Sequence, residues 1–415
     1  MAKRNAHGSG SIRKRADGTW EARYTLGRDP GTGKPIRKSV YGHTQKEVRQ
    51  KLTQATAAID TGTYFDPTKL TLGQWLDTWL AEYTMDLKPR TRENYEMHVC
   101  RNLKPYLGAV PLAQLRAPMI QQLYNRLSRG EAQDPADRRK RRPALSPKTL
   151  QNLHGTLHKA LQQAVELELL SHNPADACKR PRVQKPEIRP LDEGEMAAFL
   201  DAIRGDPFEA LYLVDLYTGL RLGEILGLCW DCVNFSAGTI HVRRQLQKSR
   251  KGGQYYFSTP KSGKGRVVAM PETVRRALKE LQKEQRLRRL QAGGAWMPSG
   301  GVWADSGCQE VNGHSLVFTD AQGRHMADQT VYHHFKKLAA SIGRPDARFH
   351  DLRHSYAVAA IRSGDDIKTV QGNLGHATAA FTLDVYGHVT DQMKQDSARR
   401  MELYLASLRK EKKGC

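Results

Sequence analysis

Residues 349–388 read FHDLRHSYAVAAIRSGDDIKTVQGNLGHATAAFTLDVYGH, and the rest of the chain is interpreted outward from this stretch. Apolar residues between 357 and 361 have the spacing of a buried helix face, and this helix would begin at His350 and end at Gly364. A second apolar set follows with helical spacing, and Gly375 is placed to end that helix in a left-handed conformation. The pattern predicts two consecutive helices.

Imidazole and guanidinium side chains precede the second of the two tyrosines in this stretch. They are His350, Arg353, His354 and His376, and the tyrosine is Tyr386. A phenol has an unperturbed pKa of about 10, so it is a poor nucleophile unless cations stabilise its oxyanion. Such cations also neutralise the charge that builds on a phosphate under attack. Each histidine taken alone is typical of an ordinary surface or core residue, so the prediction of phosphate chemistry rests on the set and its order.

The order H-D-L-R-H, then L-G-H, then Y resembles the carboxy-terminal signature of the tyrosine recombinases, the phage-integrase family. Residues 218–225 (TGLRLGEI) resemble the box with the family's upstream Arg, and residues 259–264 (TPKSGK) resemble its Lys-bearing β-hairpin. The resemblance runs from about Leu191 to the C-terminus. It implies a catalytic set of six residues, which are Arg221, Lys261, His350, Arg353, His376 and Tyr386.

The resemblance also implies a reaction. Tyr386 would attack a scissile DNA phosphate and form a 3′-phosphotyrosyl link with a free 5′ hydroxyl. Arg221, Arg353 and His376 would stabilise the charge on the phosphate. The covalent link stores the energy of the phosphodiester, so rejoining needs no cofactor, nucleotide or metal. Four protomers on two paired DNA attachment sites would exchange strands. An excisionase or other directionality factor would be a further partner.

Proton transfer in this reaction is assigned to two positions. Lys261 would deliver a proton to the departing 5′ oxygen, and His350 would assist proton transfer. Lys264 is close enough in sequence to be an alternative general acid. The segment around these lysines lacks the G-x-x-x-x-G-K-[ST] spacing of a nucleotide-binding loop, so no dependence on ATP is expected.

Composition limits the class of protein. A chain of 415 residues is long enough for two or three domains, and its net charge of +23 predicts a polyanionic partner, most simply nucleic acid. No apolar run is long enough to span a membrane, no signal-peptide core is present, and six scattered cysteines argue against a disulfide framework. A soluble cytoplasmic DNA-binding protein is expected.

Residues 1–62 predict a small basic domain with three strands and one helix, at 10–15, 20–26, 36–41 and 45–58. Asp17-Gly18 is typical of a tight turn between the first two strands, and Thr44 is a suitable helix cap. Such a sheet can enter a DNA groove, and the segment resembles the arm-binding domain of many phage integrases. A structural β-domain with a solvated basic face is the alternative. The candidate DNA contacts are Arg13, Lys14, Arg15 and Arg23.

Residues 68–175 predict four helices and resemble the core-binding domain of the family. Trp75 and Trp79 lie on one apolar face, which indicates core residues and not base-stacking ones. Residues 176–190 form a basic, proline-punctuated linker. The candidate DNA contacts in these two segments are Lys88, Arg90, Arg92, Lys179, Arg180 and Arg182.

Residues 191–415 are interpreted as the catalytic domain. An apolar helix over 208–218 would hold Arg221 rigidly, 239–245 reads as one strand, and 255–259 with 266–270 as a hairpin around Lys261. The Cys229-x-x-Cys232 pair has no second ligand pair nearby, so no metal site is expected. No function is assigned to the glycine-rich segment 292–315.

The predicted fold class is therefore multidomain, mainly α with small β-sheets: an N-terminal three-stranded sheet plus helix, a helical core-binding domain and an α+β catalytic domain. An integrase is the preferred function, with a resolvase-type recombinase, a type IB topoisomerase-like enzyme and a non-catalytic DNA-binding regulator as alternatives. A zinc hydrolase is disfavoured because Asp351 replaces the Glu of H-E-x-x-H and Arg353 would repel a metal.

Overall fold

The computed structural model describes residues 10–28, 35–60, 70–134, 137, 139–184, 188–297, 303–304, 315–375, 397–403 and 405. Two predicted catalytic residues, His376 and Tyr386, lie outside the described residues. The chain divides into two compact units, one drawn from residues 1–87 and 94–183 and the other from 88–93 and 184–415.

The N-terminal segment forms an antiparallel sheet with one helix, made of β1 (Ser11–Lys14), β2 (Trp20–Arg28), β3 (Pro35–Gly42) and α1 (Gln45–Asp60). Alternate strand residues point to opposite faces of a sheet. Ala22 and Tyr24 pack with Val48 and Leu52 of α1, so one face of the sheet forms a small core. Gly18 has φ +83° in the turn, as the Asp-Gly pair predicted.

A helical block follows, and its helices are α2 (Leu72–Glu82), α3 (Pro89–His98), α4 (Lys104–Leu107), α5 (Ala117–Arg129) and α6 (Pro147–Glu166). A π-helical turn, Val99–Leu103, joins α3 to α4, so the described residues of this block form five α-helices where the sequence predicted four. Trp75 and Trp79 are 3% and 4% exposed, and Trp75 Nε1 donates to the Ala160 carbonyl at 2.8 Å. Both tryptophans are therefore core residues, as predicted.

The second unit contains seven further named helices, most of which pack around one large core, while the last two form a smaller apolar cluster. They are α7 (Glu193–Ala202), α8 (Glu209–Thr218), α9 (Leu222–Leu226), α10 (Glu272–Ala292), α11 (Asp328–Ser341), α12 (Phe349–Arg362) and α13 (Ile367–Leu374). Asp192 caps α7 by accepting from the Glu195 N–H at 2.8 Å, and Gly375 caps α13 with φ +62°. The helices predicted from residues 349–388 are thus present.

Two small three-stranded sheets complete this unit. Their strands are β4 (Val233–Asn234), β5 (Thr239–Val242), β6 (Gln245–Lys248), β7 (Tyr255–Ser258), β8 (Arg266–Ala269) and β9 (Trp303–Ala304). The first sheet has the order β4-β5-β8, and the second has the order β6-β7-β9.

The strand pairing corrects two predictions. The expected single strand over 239–245 ends at Val242, and the expected hairpin of 255–259 with 266–270 is wrong, because β7 pairs with β6 whereas β8 pairs with β5. The physical reason is Arg244, which is 7% exposed and pairs with Asp231 at 3.0 Å, so the chain leaves the first sheet there. Gln245 Nε2 donates to the Thr259 carbonyl at 2.7 Å, which links the start of β6 to the end of β7.

The architecture is mainly helical with small sheets, so the predicted fold class is confirmed. Among the residues that the structure describes, no helix combines the length and apolar character needed to cross a membrane.

Candidate active site

Arg221 is delivered by the end of α8. This helix terminates at Gly219, whose φ of +62° is the left-handed conformation that glycine favours, and Arg221 then caps the start of α9. A Cβ at position 219 would collide with the ring of Tyr356 and would lie 2.8 Å from Leu374 Cδ2. The turn that sets the direction of Arg221 therefore depends on a glycine packed tightly against two other helices.

Glu224 holds two arginines at once. Its carboxylate accepts from Arg221 Nη1 at 3.0 Å and from the Arg266 Nη1 and Nη2 atoms at 3.0 and 2.7 Å. Glu224 is 1% exposed, and burial opposes its charge, but the bonds and charges of Arg266 and Arg221 lower its pKa to about 2. The carboxylate is therefore ionised at neutral pH, and it fixes the position of Arg221.

Arg353 is the most deeply buried cation in this cluster, at 1% exposed. Its guanidinium donates to the carbonyl of Gly219 and, at 2.5 Å, to the carbonyl of Leu374. Burial, followed by the neighbouring charge of Arg221, lowers the pKa of Arg353 to about 9, which still leaves the side chain charged at neutral pH. These two hydrogen bonds connect the C-terminal end of α8, which precedes Arg221, to the C-terminal end of α13.

His350 and His354 lie one turn apart on α12, with ring centroids 4.8 Å apart. Burial of the His350 ring, the nearby His354 imidazole and the positive charges of Arg353 and Arg221 lower the pKa of His350 to about 4, although the residue as a whole is exposed. Burial and the charge of Arg353 likewise lower the pKa of His354 to about 4. Both imidazoles are therefore neutral near pH 7, and a neutral His350 can accept a proton.

Lys261 and Lys264 are both exposed in the connection between β7 and β8. The turn is closed by the Gly263 N–H, which donates to the Pro260 carbonyl at 2.8 Å. Within the described ranges, neither ammonium group makes an ion pair or hydrogen bond with the cluster around Glu224. The structure thus brings Arg221, Arg353 and His350 together, while neither lysine bonds to them among the described residues, and the choice of general acid stays a prediction.

Sequence reasoning missed two residues of this cluster. Arg266 begins β8, and its Nε also donates to the Asn373 carbonyl at 2.6 Å; nothing in the sequence distinguished it from other strand arginines. Asp215 on α8 is fully buried, and neither carboxylate oxygen has a hydrogen-bond partner among the described residues. Burial raises the pKa of Asp215 well above its usual value, against the opposing charge of Arg353. A lone Asp in an otherwise apolar helix was the available signal.

The candidate DNA contacts occupy three places. Arg13, Lys14, Arg15 and Arg23 lie on or beside the N-terminal sheet and are exposed. The half-buried residues Lys88, Arg90 and Arg92 lie at the start of α3, and the exposed residues Lys179, Arg180 and Arg182 follow Cys178. Their role as DNA contacts stays a prediction.

The Cys229 and Cys232 thiols are buried beside the guanidinium of Arg244, whose Nη1 is 3.6 Å from Cys229 Sγ. Burial raises the pKa of Cys229 to about 12, so it is a protonated thiol and a poor metal ligand. No group of three or more potential metal ligands is found within the part of the chain that the structure covers.

Comparison with known proteins identifies the family to which the chain is similar. Residues 190–393 match the Phage integrase family, and residues 71–128 match the family described as Phage integrase, N-terminal SAM-like domain. A tyrosine recombinase XerC-like protein of Caldanaerobacter subterraneus subsp. tengcongensis is 29% identical over 91% of this chain and 94% of its own length. The ICEBs1 integrase of Bacillus subtilis strain 168 is 24% identical over 94% of this chain and 99% of its own length.

Solved structures agree at the level of the fold. The Tn1549 transposon integrase, in complex with transposon right end DNA, is 21% identical with a TM-score of 0.63, covering 80% of this chain and 99% of that chain. A lambda integrase dimer bound to a COC′ core site is 16% identical with a TM-score of 0.50, covering 93% of this chain and 96% of that chain. The chain described here belongs to the phage integrase family of tyrosine recombinases, and it is a site-specific DNA recombinase of the integrase type.

Proposed function

We propose that this integrase cuts and rejoins DNA through a 3′-phosphotyrosyl intermediate on Tyr386, with Arg221 and Arg353 stabilising the charge on the scissile phosphate. The observation that carries the proposal is the rigid arginine cluster around Glu224. Arg221 is fixed by a carboxylate, and Arg353 by two main-chain carbonyls. Donors held in place before the reaction need no reorganisation when charge develops on the phosphate, which is the main source of electrostatic catalysis.

The charge balance of the cluster supports an anionic ligand. Three guanidinium groups, those of Arg221, Arg266 and Arg353, surround one ionised carboxylate, that of Glu224. Asp215 adds no negative charge when it is protonated, and burial favours that form. A net positive site beside partly exposed Arg221 suits a phosphodiester, which brings one negative charge.

The proton transfers are assigned to residues other than these arginines. His350, whose imidazole is neutral near pH 7, accepts the proton of the Tyr386 hydroxyl as the tyrosine oxygen attacks phosphorus. Lys261 donates a proton to the 5′ oxygen as the bond from phosphorus to that oxygen breaks, with Lys264 as the alternative donor. His376 completes the phosphate-binding set, as the family resemblance implies.

The macromolecular partner is double-stranded DNA at attachment sites. The net charge of +23 fits a polyanionic ligand, and relatives of this fold include integrases whose structures are described as complexes with DNA. The N-terminal sheet binds arm-type sequences, while residues 68–175 and the catalytic unit bind the site of strand exchange. Four protomers act on two paired sites, and a directionality factor selects between integration and excision.

The reaction is tested with labelled duplexes that contain the sequences flanking the gene and a nick that traps the cleaved state. The full chain and its Tyr386→Phe variant are incubated with them in EDTA without ATP. Wild type is expected to give a protein–DNA adduct that survives denaturing gels, and the variant none, because only the hydroxyl oxygen can bond to phosphorus. The matched control is Tyr356→Phe, which removes another hydroxyl from the catalytic unit.

Two outcomes contradict the proposal. An adduct that persists in Tyr386→Phe would exclude this tyrosine as the nucleophile. DNA binding by wild type with no adduct on any trapping substrate would instead favour a regulator that does not cut DNA.

A further inference from the structure

The open face of the N-terminal sheet carries a charged cluster that is separate from the active site. Glu21 lies at its centre on β2, with Arg13 directly opposite on β1 and Tyr41 opposite on β3. Arg23 is two residues along β2 and therefore lies on the same face as Glu21. Because α1 covers the other face through Ala22, this face is the one available to a ligand.

Glu21 is engaged from three sides although it stands on the open face. Its Oε2 accepts from Arg13 Nε at 2.6 Å, and its Oε1 accepts from Arg23 Nε at 2.9 Å and from Ser39 Oγ at 2.7 Å. Only 2% of Glu21 is exposed, because the two arginines cover it. The bonds from Arg23, Ser39 and Arg13 lower the pKa of Glu21 to about 2, so the cluster stays assembled at neutral pH.

The two arginines are held in different ways. Both Nε and Nη2 of Arg13 contact the same Glu21 oxygen at 2.6 Å, so one edge of this guanidinium is occupied. Arg23 uses only Nε in its bonds to the described residues, which leaves Nη1 and Nη2 available. The side chains of Arg13 and Arg23 are 58% and 49% exposed, so both reach the surface.

We infer that Glu21 is a positioning residue that aims Arg23 at a guanine in the major groove of arm-type DNA, while Arg13 contacts the phosphate backbone. The inference rests on the proposed binding of arm-type sequences by this sheet. A guanidinium with two free terminal nitrogens pairs with the O6 and N7 atoms of guanine, and a carboxylate on its Nε edge restricts the angle of approach. Arg37 and the exposed ring of Tyr41 extend the same face and add positive charge and stacking surface.

The charge signs make the role of Glu21 distinctive. A carboxylate on a face that meets polyanionic DNA weakens non-specific binding, so its presence there must be offset by what it does to its neighbours. Replacing Glu21 with Gln should therefore strengthen binding to random-sequence duplex and at the same time weaken the preference for guanine. A residue that only stabilised the sheet would lower both.

The test uses the full chain and a library of random-sequence duplexes, from which bound DNA is recovered and sequenced. Wild type is expected to enrich an arm-type motif with at least one strongly preferred guanine. Glu21→Gln should lose roughly 10-fold of the discrimination at that position, which is the usual worth of one bidentate arginine–guanine contact. Arg23→Lys should lose the same preference, whereas Arg13→Lys should weaken binding to all sequences alike.

Glu47→Gln is the matched control, because it makes the same substitution in the same domain. Glu47 lies on α1, which packs on the other face of the sheet, and it pairs with Lys51 at 2.7 Å. It should leave the enriched motif unchanged. A thermal unfolding scan of each variant separates loss of specificity from loss of the fold.

An unchanged guanine preference in Glu21→Gln and Arg23→Lys would overturn the inference and leave the proposed recombination intact, since adduct formation at Tyr386 is measured separately. Binding by wild type without any enriched arm-type motif would also overturn it. Failure of wild type to bind duplex DNA at all would instead contradict the proposed function.

Discussion

Glu224 accepts hydrogen bonds from Arg221 and Arg266 while it is 1% exposed. A buried ion pair is weak support for stability when compared with an apolar replacement, but removal of one partner leaves the other charges buried and uncompensated. For this site the second comparison is the relevant one, because Arg221 and Arg353 are the proposed phosphate ligands and must stay charged. Glu224 therefore makes it possible to hold several guanidinium groups close together.

We predict that Glu224→Gln lowers the free energy of unfolding at pH 7 by about 3 kcal/mol, the usual cost of breaking a buried pair. The pKa of Glu224 falls from 4.5 to about 2 on folding, so its contribution is present above pH 4.5 and is lost as pH falls towards 2. Urea unfolding of wild type and variant should therefore show a difference that shrinks over this range of pH.

Glu193→Gln provides the control for this prediction. Glu193 pairs with Arg362 at 3.1 Å, but its side chain is 81% exposed, and such pairs contribute little. An equal loss of stability in both variants, or a Glu224→Gln difference that does not depend on pH, would contradict the account of the cluster.

Among the elements, the turn from α8 to α9 decides the position of Arg221. Gly219 has φ +62°, and its carbonyl is also a ligand of Arg353, so one residue fixes both proposed phosphate contacts. Gly205, which has φ +72° and open space around its Cα, is in the same backbone region without the close packing. Substitution of Gly205 therefore measures backbone strain alone, whereas substitution of Gly219 adds a steric collision.

We predict that Gly219→Ala destabilises the protein by at least about 2 kcal/mol, because a left-handed alanine costs about 1–2 kcal/mol and its Cβ would also collide with Tyr356. Gly205→Ala should cost only about 1 kcal/mol. Chemical denaturation measures both values. Adduct formation should fall in the Gly219 variant under conditions where it is folded, and similar effects of the two substitutions would argue against a packed turn.

Elements with local signals could be predicted from the sequence. The cap Thr44, the Asp-Gly turn before β2 and the left-handed end of α13 at Gly375 follow from short-range chemistry. The pairing of β5 with β8 could not be predicted, because the sequence of this region is equally typical of a simple hairpin between neighbouring strands. The chain changes sheets at Arg244, whose guanidinium is buried against Asp231, a contact that the sequence alone does not reveal.

The residues of the candidate site also divide into those with a signal in the sequence and those whose role depends on contacts distant in sequence. Arg221, His350 and Arg353 were predicted from an ordered family pattern, and the structure brings them together. Arg266 was missed because its importance comes from a bond to Glu224 over 42 positions of sequence, and nothing local to β8 marks it. Asp215 was missed because its burial beside Arg353 depends on how α8 packs.

At the scale of the whole molecule, charge and covalent chemistry have separate roles. A net charge of +23 accounts for attraction to DNA of any sequence, and this term weakens as salt is added. Sequence preference is assigned to the open face of the N-terminal sheet, and bond breaking to the cluster around Glu224. The central claim is that the tyrosine that joins these functions is Tyr386.

That claim is tested most directly by digesting the trapped protein–DNA adduct with nuclease and protease and identifying the nucleotide-bearing peptide by mass spectrometry. The account predicts that the nucleotide is attached to Tyr386. Attachment to another tyrosine of the catalytic unit would contradict it. Tyr356 is the most informative alternative: burial raises the pKa of its phenol, and Asn373 Nδ2 donates to its oxygen at 2.9 Å. Attachment to a serine would contradict the tyrosine mechanism altogether.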